Sequence, residues 1–189
     1  MMTREEILEV TKDIVSFGVK DEDVDAYLKY IRPLPAGSIV VELGTGRAKN
    51  CIRLGLSNPE ADIFTIDNAQ ESKNLSEVMY FKEISRRLRK ARVDNVYFTL
   101  GDSRTIFPGW RLPIDILNVD SSHKYEASIE EFKRWEPLVK VGGYLLLHDY
   151  TLQVPQVAGL QKAVDEYFRN DRFEFVENLG QTQVIWKKA

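Results

Sequence analysis

The sequence has little cysteine, little histidine and no long hydrophobic run. Its 189 residues include one cysteine, Cys51, and two histidines, His123 and His148. A single cysteine excludes an intramolecular disulfide and a cysteine-based zinc site within one chain. No apolar run approaches the roughly 18–20 residues that cross a bilayer, so no membrane span is predicted. The first residues carry acids rather than the apolar core of a signal peptide, and we expect a cytoplasmic protein.

The chain also lacks a strong excess of charge. Lys and Arg number 26 and Asp and Glu number 29, which gives a formal net charge of −3. This balance provides no general attraction to nucleic acid or to an anionic membrane, so neither partner is expected. Hydrophobic residues make up 43% of the chain, a share typical of a globular protein, and the length suits one domain.

Short apolar runs alternate with amphipathic stretches along most of the chain. Two helices are predicted within residues 1–35, the first of them with a capping box formed by Thr3 and Glu6. Later helices are predicted at 48–58, 72–92, 124–139 and 156–169. Strands are predicted at 38–43, 62–67, 96–101, 114–120 and 143–149, with two more around a turn at 178–180.

This alternation indicates parallel strands joined by right-handed crossovers, with an antiparallel hairpin at the end. We therefore predict a doubly wound, three-layer α/β/α fold with a mostly parallel seven-stranded sheet. Residues 1–35 would cover a cleft in the single compact domain, and residues 36–189 would bind the ligand. Ligands in such folds lie at the carboxyl ends of the strands, so the residues after each strand are the candidate site.

A glycine turn, ELGTGRAK at 42–49, follows the first strand. Gly44 and Gly46 allow close approach of the backbone to a ligand, and the next helix begins with free N–H groups. A buried Glu42 requires hydrogen bonds, and an ordinary tight turn that it caps is the alternative interpretation. Lys49 stands where a dinucleotide fingerprint needs glycine or alanine, so the turn suits a nucleoside better than a pyrophosphate.

Acids follow the next two strands. Asp67 lies about 20 positions after Gly44. In nucleoside-binding α/β units, an acid at this distance from the first glycine binds the ribose hydroxyls. Asp102 and the adjoining Ser103 follow the third strand, where a carboxylate accepts from an adenine amine or caps a short helix. Asp67 alone is also consistent with the start of a turn, but acids after successive strands beside a glycine turn favour a nucleoside site.

Both histidines follow strands four and five, and each is close to an aspartate. His123 comes after Asp120, and His148 adjoins Asp149. Histidine transfers protons near neutral pH, so these four residues are candidate catalytic groups. Asp120, His148 and Asp149 also suit a divalent cation, since carboxylates bind Mg²⁺ or Ca²⁺ and imidazole admits softer ions. In a third interpretation, a histidine only satisfies buried backbone groups.

Together these residues resemble class I S-adenosylmethionine-dependent methyltransferases. The segment 114–150, with DILNVDSSHKYE, a Trp-Glu-Pro, a glycine pair and His148-Asp149, is similar to the small-molecule O-methyltransferase-like group. That group includes sugar and macrolide methyltransferases and, more remotely, catechol-type enzymes. The resemblance covers about residues 36–189. It implies a Rossmann-like fold and methyl transfer to a small hydroxylated acceptor.

The resemblance implies S-adenosylmethionine as the cofactor, with the glycine turn under its methionine part, Asp67 at its ribose and Asp102 at its adenine. The implied cofactor-binding set is Glu42, Gly44, Thr45, Gly46, Asp67, Asn68, Asp102, Ser103 and Asp120. Metal-dependent relatives bind Mg²⁺ through carboxylates at the positions of Asp120 and Asp149, and the metal orients and acidifies the acceptor hydroxyl. Catechol-type relatives have asparagine where Tyr150 stands, and sugar-modifying relatives have aspartate where His148 stands. Either His148 is therefore a third ligand, or a histidine acts as general base without a metal.

Two other functions fit parts of the sequence: an NAD(P)- or nucleotide-sugar-dependent oxidoreductase, and a non-catalytic S-adenosylmethionine-binding protein. The short chain leaves the acceptor site either open or covered by a second copy in a homodimer, and Tyr27 and Tyr30 are expected among the exposed residues that cover it.

We expect the basic residues of the long helix to be a solvated face away from the strand ends, with an anionic substrate or RNA as the alternative. These residues are Lys82, Arg86, Arg87, Arg89, Lys90 and Arg92.

Overall fold

The computed structural model describes residues 1–16, 18–70, 75–179 and 183–189. Six helices and seven strands form within these residues, along with two short 3₁₀ turns, Glu136–Leu138 and Pro155–Val157. The helices are α1 (Arg4–Thr11), α2 (Asp23–Tyr30), α3 (Lys49–Ser57), α4 (Glu77–Ala91), α5 (Tyr125–Trp135) and α6 (Ala158–Phe168). The strands are β1 (Ile39–Leu43), β2 (Asp62–Asp67), β3 (Val96–Leu100), β4 (Ile114–Val119), β5 (Val139–Leu147), β6 (Phe173–Leu179) and β7 (Gln183–Lys188).

The seven strands form one sheet in the order β3-β2-β1-β4-β5-β7-β6. Strands β1 to β5 are parallel, and β7 is antiparallel to both β5 and β6. This arrangement confirms the predicted mostly parallel sheet with an antiparallel hairpin. The direction of winding reverses between β1 and β4, and the carboxyl ends of these two strands therefore form the switch point where such folds bind ligands.

Helices cover both faces of the sheet and create two hydrophobic cores. Helices α1 to α4 pack on one face, where Val40 of β1 points. Helices α5 and α6 pack on the other, where Val41 points. The alternation follows from the two-residue period of a strand. In the described part of the chain, no helix combines the length and the apolar character needed to cross a membrane.

The N-terminal helices pack into the first core, and this corrects one expectation. The capping box of α1 is present: Glu6 N–H donates to Thr3 Oγ1, and Thr3 N–H donates to Glu6 Oε2. Tyr27 and Tyr30, however, are buried rather than exposed. Both lie on the helical stripe that faces the sheet, and the Tyr30 ring packs 4.8 Å from the Tyr144 ring on β5.

Several element ends differ from those predicted. Helix α4 begins at Glu77, with Ser76 as its cap, and residues 72–74 of the longer predicted helix lie outside the described residues. Strand β5 begins at Val139 instead of 143 and ends at Leu147, so His148 and Asp149 follow it. Asn178 of the predicted turn belongs to β6, and residue 180 lies outside the described residues.

Candidate active site

The glycine turn brings the ends of β1 and β4 into close contact. Gly44 has φ +95°, and a Cβ there would lie 1.9 Å from the backbone oxygen of Asp120. Only glycine allows this approach. Gly46 and Ala48 also have positive φ values, and α3 begins immediately after them. The turn therefore leaves the carboxyl end of β1 and the first amides of α3 beside Asp120.

Glu42 is buried beneath this turn and is hydrogen-bonded there. The Thr65 hydroxyl on β2 donates to Glu42 Oε2, and Asn118 Nδ2 on β4 lies 3.4 Å from Oε1. The Thr45 hydroxyl lies 2.6 Å from that of Thr65 and forms a hydrogen bond with it. Burial raises the pKa of Glu42 to about 8 in spite of these bonds.

Asp67 fixes the other side of the turn. Its Oδ2 accepts the Gly46 N–H at 2.9 Å, and its Oδ1 accepts the Ala69 N–H at 2.7 Å. The Tyr80 hydroxyl of α4 donates to the Gly46 carbonyl at 2.6 Å. The structure thus joins the end of β2, the glycine turn and α4 around one carboxylate.

Four predicted catalytic residues converge where β4 and β5 end. His148 Nδ1 lies 3.0 Å from Asp149 Oδ1 and 3.3 Å from Asp120 Oδ1. His123 Nε2 lies 3.1 Å from Asp149 Oδ2. Asp120, His148 and Asp149 each present a ligand atom within 4.8 Å of the others. Asp149 has φ +61°, a conformation that aspartate tolerates and that recurs at functional sites.

The carboxylates and imidazoles of this cluster shift one another's pKa values. Burial raises the pKa of Asp120 to about 6. Burial also opposes ionisation of Asp149, but hydrogen bonds from His123 and His148 outweigh it and hold the pKa of Asp149 below its usual range. Burial disfavours the charged form of His148, yet Asp120 and the other nearby carboxylates raise its pKa well above its usual value.

Two residues that the sequence analysis missed complete the cluster. Asp23 at the start of α2 is buried, and its Oδ2 lies 3.1 Å from His148 Nε2. Asn50 Nδ2 in α3 donates to Asp120 Oδ2 at 2.9 Å. Neither position carries a signal in the sequence, since an acid in the first turn of a helix usually faces solvent, where it stabilises the helix dipole.

A cavity of about 660 Å³ opens beside the glycine turn. Its lining includes five of the nine predicted cofactor-binding residues, namely Gly44, Thr45, Gly46, Asp67 and Asp120.

The other four predicted cofactor-binding residues lie outside the described lining of the cavity. Glu42 is buried below the turn, and Asn68 Oδ1 accepts the Gln70 N–H. Asp102 binds the Arg104 guanidinium through both carboxylate oxygens, and Ser103 donates to Glu131.

The basic helix is closer to this cavity than predicted. Lys82, Arg86 and Arg87 line it together with Arg47 and Lys49 of the turn. The Arg87 guanidinium donates to the Arg47 carbonyl at 2.9 Å, so this face of α4 packs on the glycine turn. The expectation that the whole basic face lies away from the strand ends is therefore wrong for these three residues.

Most of the residues of this site lie within a segment that matches a known protein family. A family model described as a methyltransferase domain matches residues 41–150, from within β1 to Tyr150. The chain belongs to the S-adenosylmethionine-dependent methyltransferases. This methyltransferase thus carries its family segment between the N-terminal helices and the C-terminal hairpin, and the resemblance inferred from its glycine turn and acids is confirmed.

Solved structures share the methyltransferase fold at low identity. A protein described as a caffeoyl-CoA O-methyltransferase from Staphylococcus aureus is 15% identical, with TM-score 0.74 over 100% of this chain and 93% of that one. An O-methyltransferase from Bacillus cereus, solved with S-adenosylhomocysteine, is 14% identical, with TM-score 0.70 over 98% and 90%. An rRNA methylase from Streptococcus thermophilus is 19% identical, with TM-score 0.62 over 88% and 93%. At these identities the likeness establishes the fold alone.

Proposed function

We propose that this methyltransferase transfers a methyl group from S-adenosylmethionine to an oxygen of a small hydroxylated molecule. The observation that carries the proposal is the convergence of Asp120, His148 and Asp149 next to the glycine turn. Asp120 belongs both to this cluster and to the cavity lining. The reacting methyl group and the group that prepares the acceptor would therefore meet at Asp120.

In this proposal the turn and Asp67 bind the cofactor. The backbone at Gly44 and Gly46 admits its methionine part, and the Asp67 carboxylate, fixed by two amides, accepts from the ribose hydroxyls. Asn68, Asp102 and Ser103 stay predicted contacts on the ribose and adenine side.

The three clustered side chains fit a divalent cation. Two carboxylates and one imidazole are a donor set for Mg²⁺, Mn²⁺ or a softer ion. Asp149 Oδ1 is buried and faces the cluster, 3.0 Å from His148 Nδ1. His123 contacts the other oxygen of Asp149 at 3.1 Å and so orients the carboxylate. The cation would lower the pKa of the acceptor hydroxyl and favour in-line attack on the methyl group.

The geometry favours His148 as a metal ligand over His148 as a general base. The His148 side chain is 1% exposed, and three carboxylates surround its two ring nitrogens. An acceptor hydroxyl therefore has no direct approach to either nitrogen. Asp120 lines the cavity, so a cation bound to its carboxylate could contact the acceptor there.

Metal dependence and the Asp120→Asn variant test this proposal together. We expect methyl transfer to a panel of catechols, sugars and hydroxy acids to stop with EDTA and to return with Mg²⁺ or Mn²⁺. Asp120→Asn should abolish transfer and leave S-adenosylhomocysteine affinity, measured by calorimetry, within a few-fold. Asp115→Asn is the matched control, since Asp115 lies at the opposite end of β4 and pairs with Lys140. Transfer that persists in EDTA, or in Asp120→Asn, would contradict the metal-assisted mechanism.

We also propose that the acceptor is a small molecule that carries an anionic group. Arg47, Lys49, Lys82, Arg86 and Arg87 line the cavity, and Glu83 pairs with the last two. The chain as a whole has net charge −3, so the basic lining is a local feature. A compact anion would contact this lining alone, whereas a long RNA would also meet the acidic remainder of the surface.

Binding of pyrophosphate to the protein saturated with S-adenosylhomocysteine tests this acceptor class. Lys82→Gln/Arg86→Gln should weaken binding at least tenfold, because both side chains line the cavity. Arg89→Gln/Lys90→Gln, on the exposed side of the same helix, should leave it unchanged. Competition between pyrophosphate and S-adenosylhomocysteine would assign the cations to the cofactor instead. Tight binding of an RNA hairpin that both double variants weaken would favour a nucleic-acid acceptor.

A further inference from the structure

The N-terminal helices place a buried acid against the candidate metal site. Asp23 is the first residue of α2, and its side chain is 0% exposed. It lies outside residues 41–150, which the family model matches. A buried carboxylate costs free energy unless it is hydrogen-bonded or paired with a cation, so its contacts have to account for its presence.

Asp23 contacts the edge of the His148 ring that points away from Asp120 and Asp149. Its Oδ2 accepts the Lys20 N–H at 2.6 Å and lies 3.1 Å from His148 Nε2. Across the ring, His148 Nδ1 faces Asp149 and Asp120 at 3.0 and 3.3 Å. The imidazole therefore lies between one acid of α2 and two acids at the ends of β4 and β5.

The contact with Asp23 gives Nε2 a hydrogen-bond acceptor on the side of the ring opposite the cluster. A carboxylate accepts hydrogen bonds, so Nε2 can keep its proton and donate to Asp23 when Nδ1 binds a cation. Nδ1 would then direct its lone pair at a cation held by Asp120 and Asp149. Metal-binding histidines in general donate the other ring N–H to a carboxylate or carbonyl, which fixes the tautomer and the ring orientation.

We propose that Asp23 is a positioning residue that holds the His148 ring with Nδ1 toward Asp120 and Asp149. The N-terminal helices then complete the metal site from outside the matched methyltransferase segment. This inference rests on the proposed function, because it assigns His148 a role as a ligand.

The local structure supports a role beyond capping. Asp23 accepts the Lys20 N–H, but a serine or asparagine satisfies such an amide without a buried charge. The buried Arg53 of α3 holds the chain just before α2, where it donates to the Lys20 carbonyl at 2.7 Å and to Asp21 Oδ1 at 2.8 Å. Arg53 of α3, the helix that follows the glycine turn, therefore helps to fix the position of Asp23.

Mn²⁺ affinity of the protein saturated with S-adenosylhomocysteine is the first measurement. Asp23→Asn keeps the shape of the side chain and removes its charge. We expect it to weaken Mn²⁺ binding by about 10–100-fold, the usual effect of losing such a partner. Asp25→Asn is the matched control, because Asp25 lies two residues later in α2 and pairs with Arg4. It should leave Mn²⁺ affinity within twofold, and both variants should bind S-adenosylhomocysteine as the wild type does.

A double-mutant cycle distinguishes positioning from general destabilisation. If Asp23 acts through His148, Asp23→Asn should add little further loss of Mn²⁺ affinity in a His148→Gln background. Losses that add fully would overturn the proposal, as would wild-type Mn²⁺ affinity in Asp23→Asn.

Nitrogen-15 NMR of the His148 ring provides a readout that does not depend on metal binding. We expect a hydrogen-bonded proton on Nε2 in the wild type, shifted or lost in Asp23→Asn. A wild-type signal that Asp23→Asn does not change would overturn the proposal. If the wild type binds S-adenosylhomocysteine but no Mn²⁺, the metal-assisted function fails, and this NMR comparison still decides the role of Asp23. If Asp23→Asn does not fold, the wild-type spectrum decides: a proton on Nε2 with Mg²⁺ present supports the proposal, and one on Nδ1 contradicts it.

Discussion

Glu42 is an acid whose environment favours its protonated form. It is buried under the glycine turn, near Asp120 and Asp67, and contacts the neutral groups of Thr65 and Asn118. Its pKa is about 8 in the folded protein, against 4.5 as the ordinary value. Between these two values the folded state binds a proton that the unfolded state has released, so stability falls as the pH rises.

Glu42→Gln should flatten this dependence on pH. The wild type is expected to lose on the order of 2–4 kcal/mol between about pH 4.5 and pH 8 through this residue, and the uncharged glutamine loses none. Urea unfolding at pH 5, 6.5 and 8 measures the difference. Glu60→Gln, at an exposed position, is the control and should follow the wild-type slope. Equal slopes for Glu42→Gln and the wild type would show that Glu42 is ionised in the folded protein.

Arg53 links α3 to the segment that joins α1 and α2. Its side chain is 1% exposed, and it donates to Thr11 Oγ1, to the Lys20 carbonyl and to Asp21. Ser16 and Val19 of the same segment line the cavity. A single buried guanidinium therefore connects the helix after the glycine turn to a wall of the site.

Arg53→Met should release this segment. The substitution leaves the Lys20 carbonyl and the Thr11 hydroxyl without their donor, at an expected cost of about 2–4 kcal/mol. Urea unfolding should report that loss, and limited proteolysis should cut faster between α1 and α2. Arg89→Met, on the exposed side of α4, should do neither. Unchanged cleavage in Arg53→Met would mean that other contacts hold the segment.

At the scale of the whole molecule, the proposed cofactor site joins both halves of the sheet. The glycine turn follows β1, Asp67 ends β2, and Asp120 follows β4. A ligand bound to all three stabilises the folded chain as a unit, because the unfolded chain has no such site.

S-adenosylhomocysteine should therefore raise the unfolding temperature. At about 100 times its dissociation constant a ligand adds about 2.7 kcal/mol, which for a chain of this size is roughly 5–10 °C. NADH at the same concentration should have no effect, and Asp67→Ala should reduce the shift because it removes the proposed ribose acceptor. A shift with NADH would revive the oxidoreductase alternative, and an unaffected Asp67→Ala would remove the ribose assignment.

The sequence alone determined the architecture and one side of the site. Apolar runs alternating with amphipathic stretches specify parallel strands with helices between them. Parallel strands place their carboxyl ends at one edge of a sheet, so Gly44, Asp67, Asp120 and Asp149 had to lie along the same edge. These are consequences of local periodicity and of topology, which a single sequence carries.

Only the tertiary structure decided the rest, because it depends on how separate helices pack. Asp23 resembles a surface acid in the sequence, and it meets His148 only because the start of α2 lies beside the residue that follows β5. Lys82 resembles part of a solvated face, and it lines the cavity because α4 lies against the glycine turn. Contacts between residues far apart in the chain depend on side-chain packing, which no periodicity within one element records.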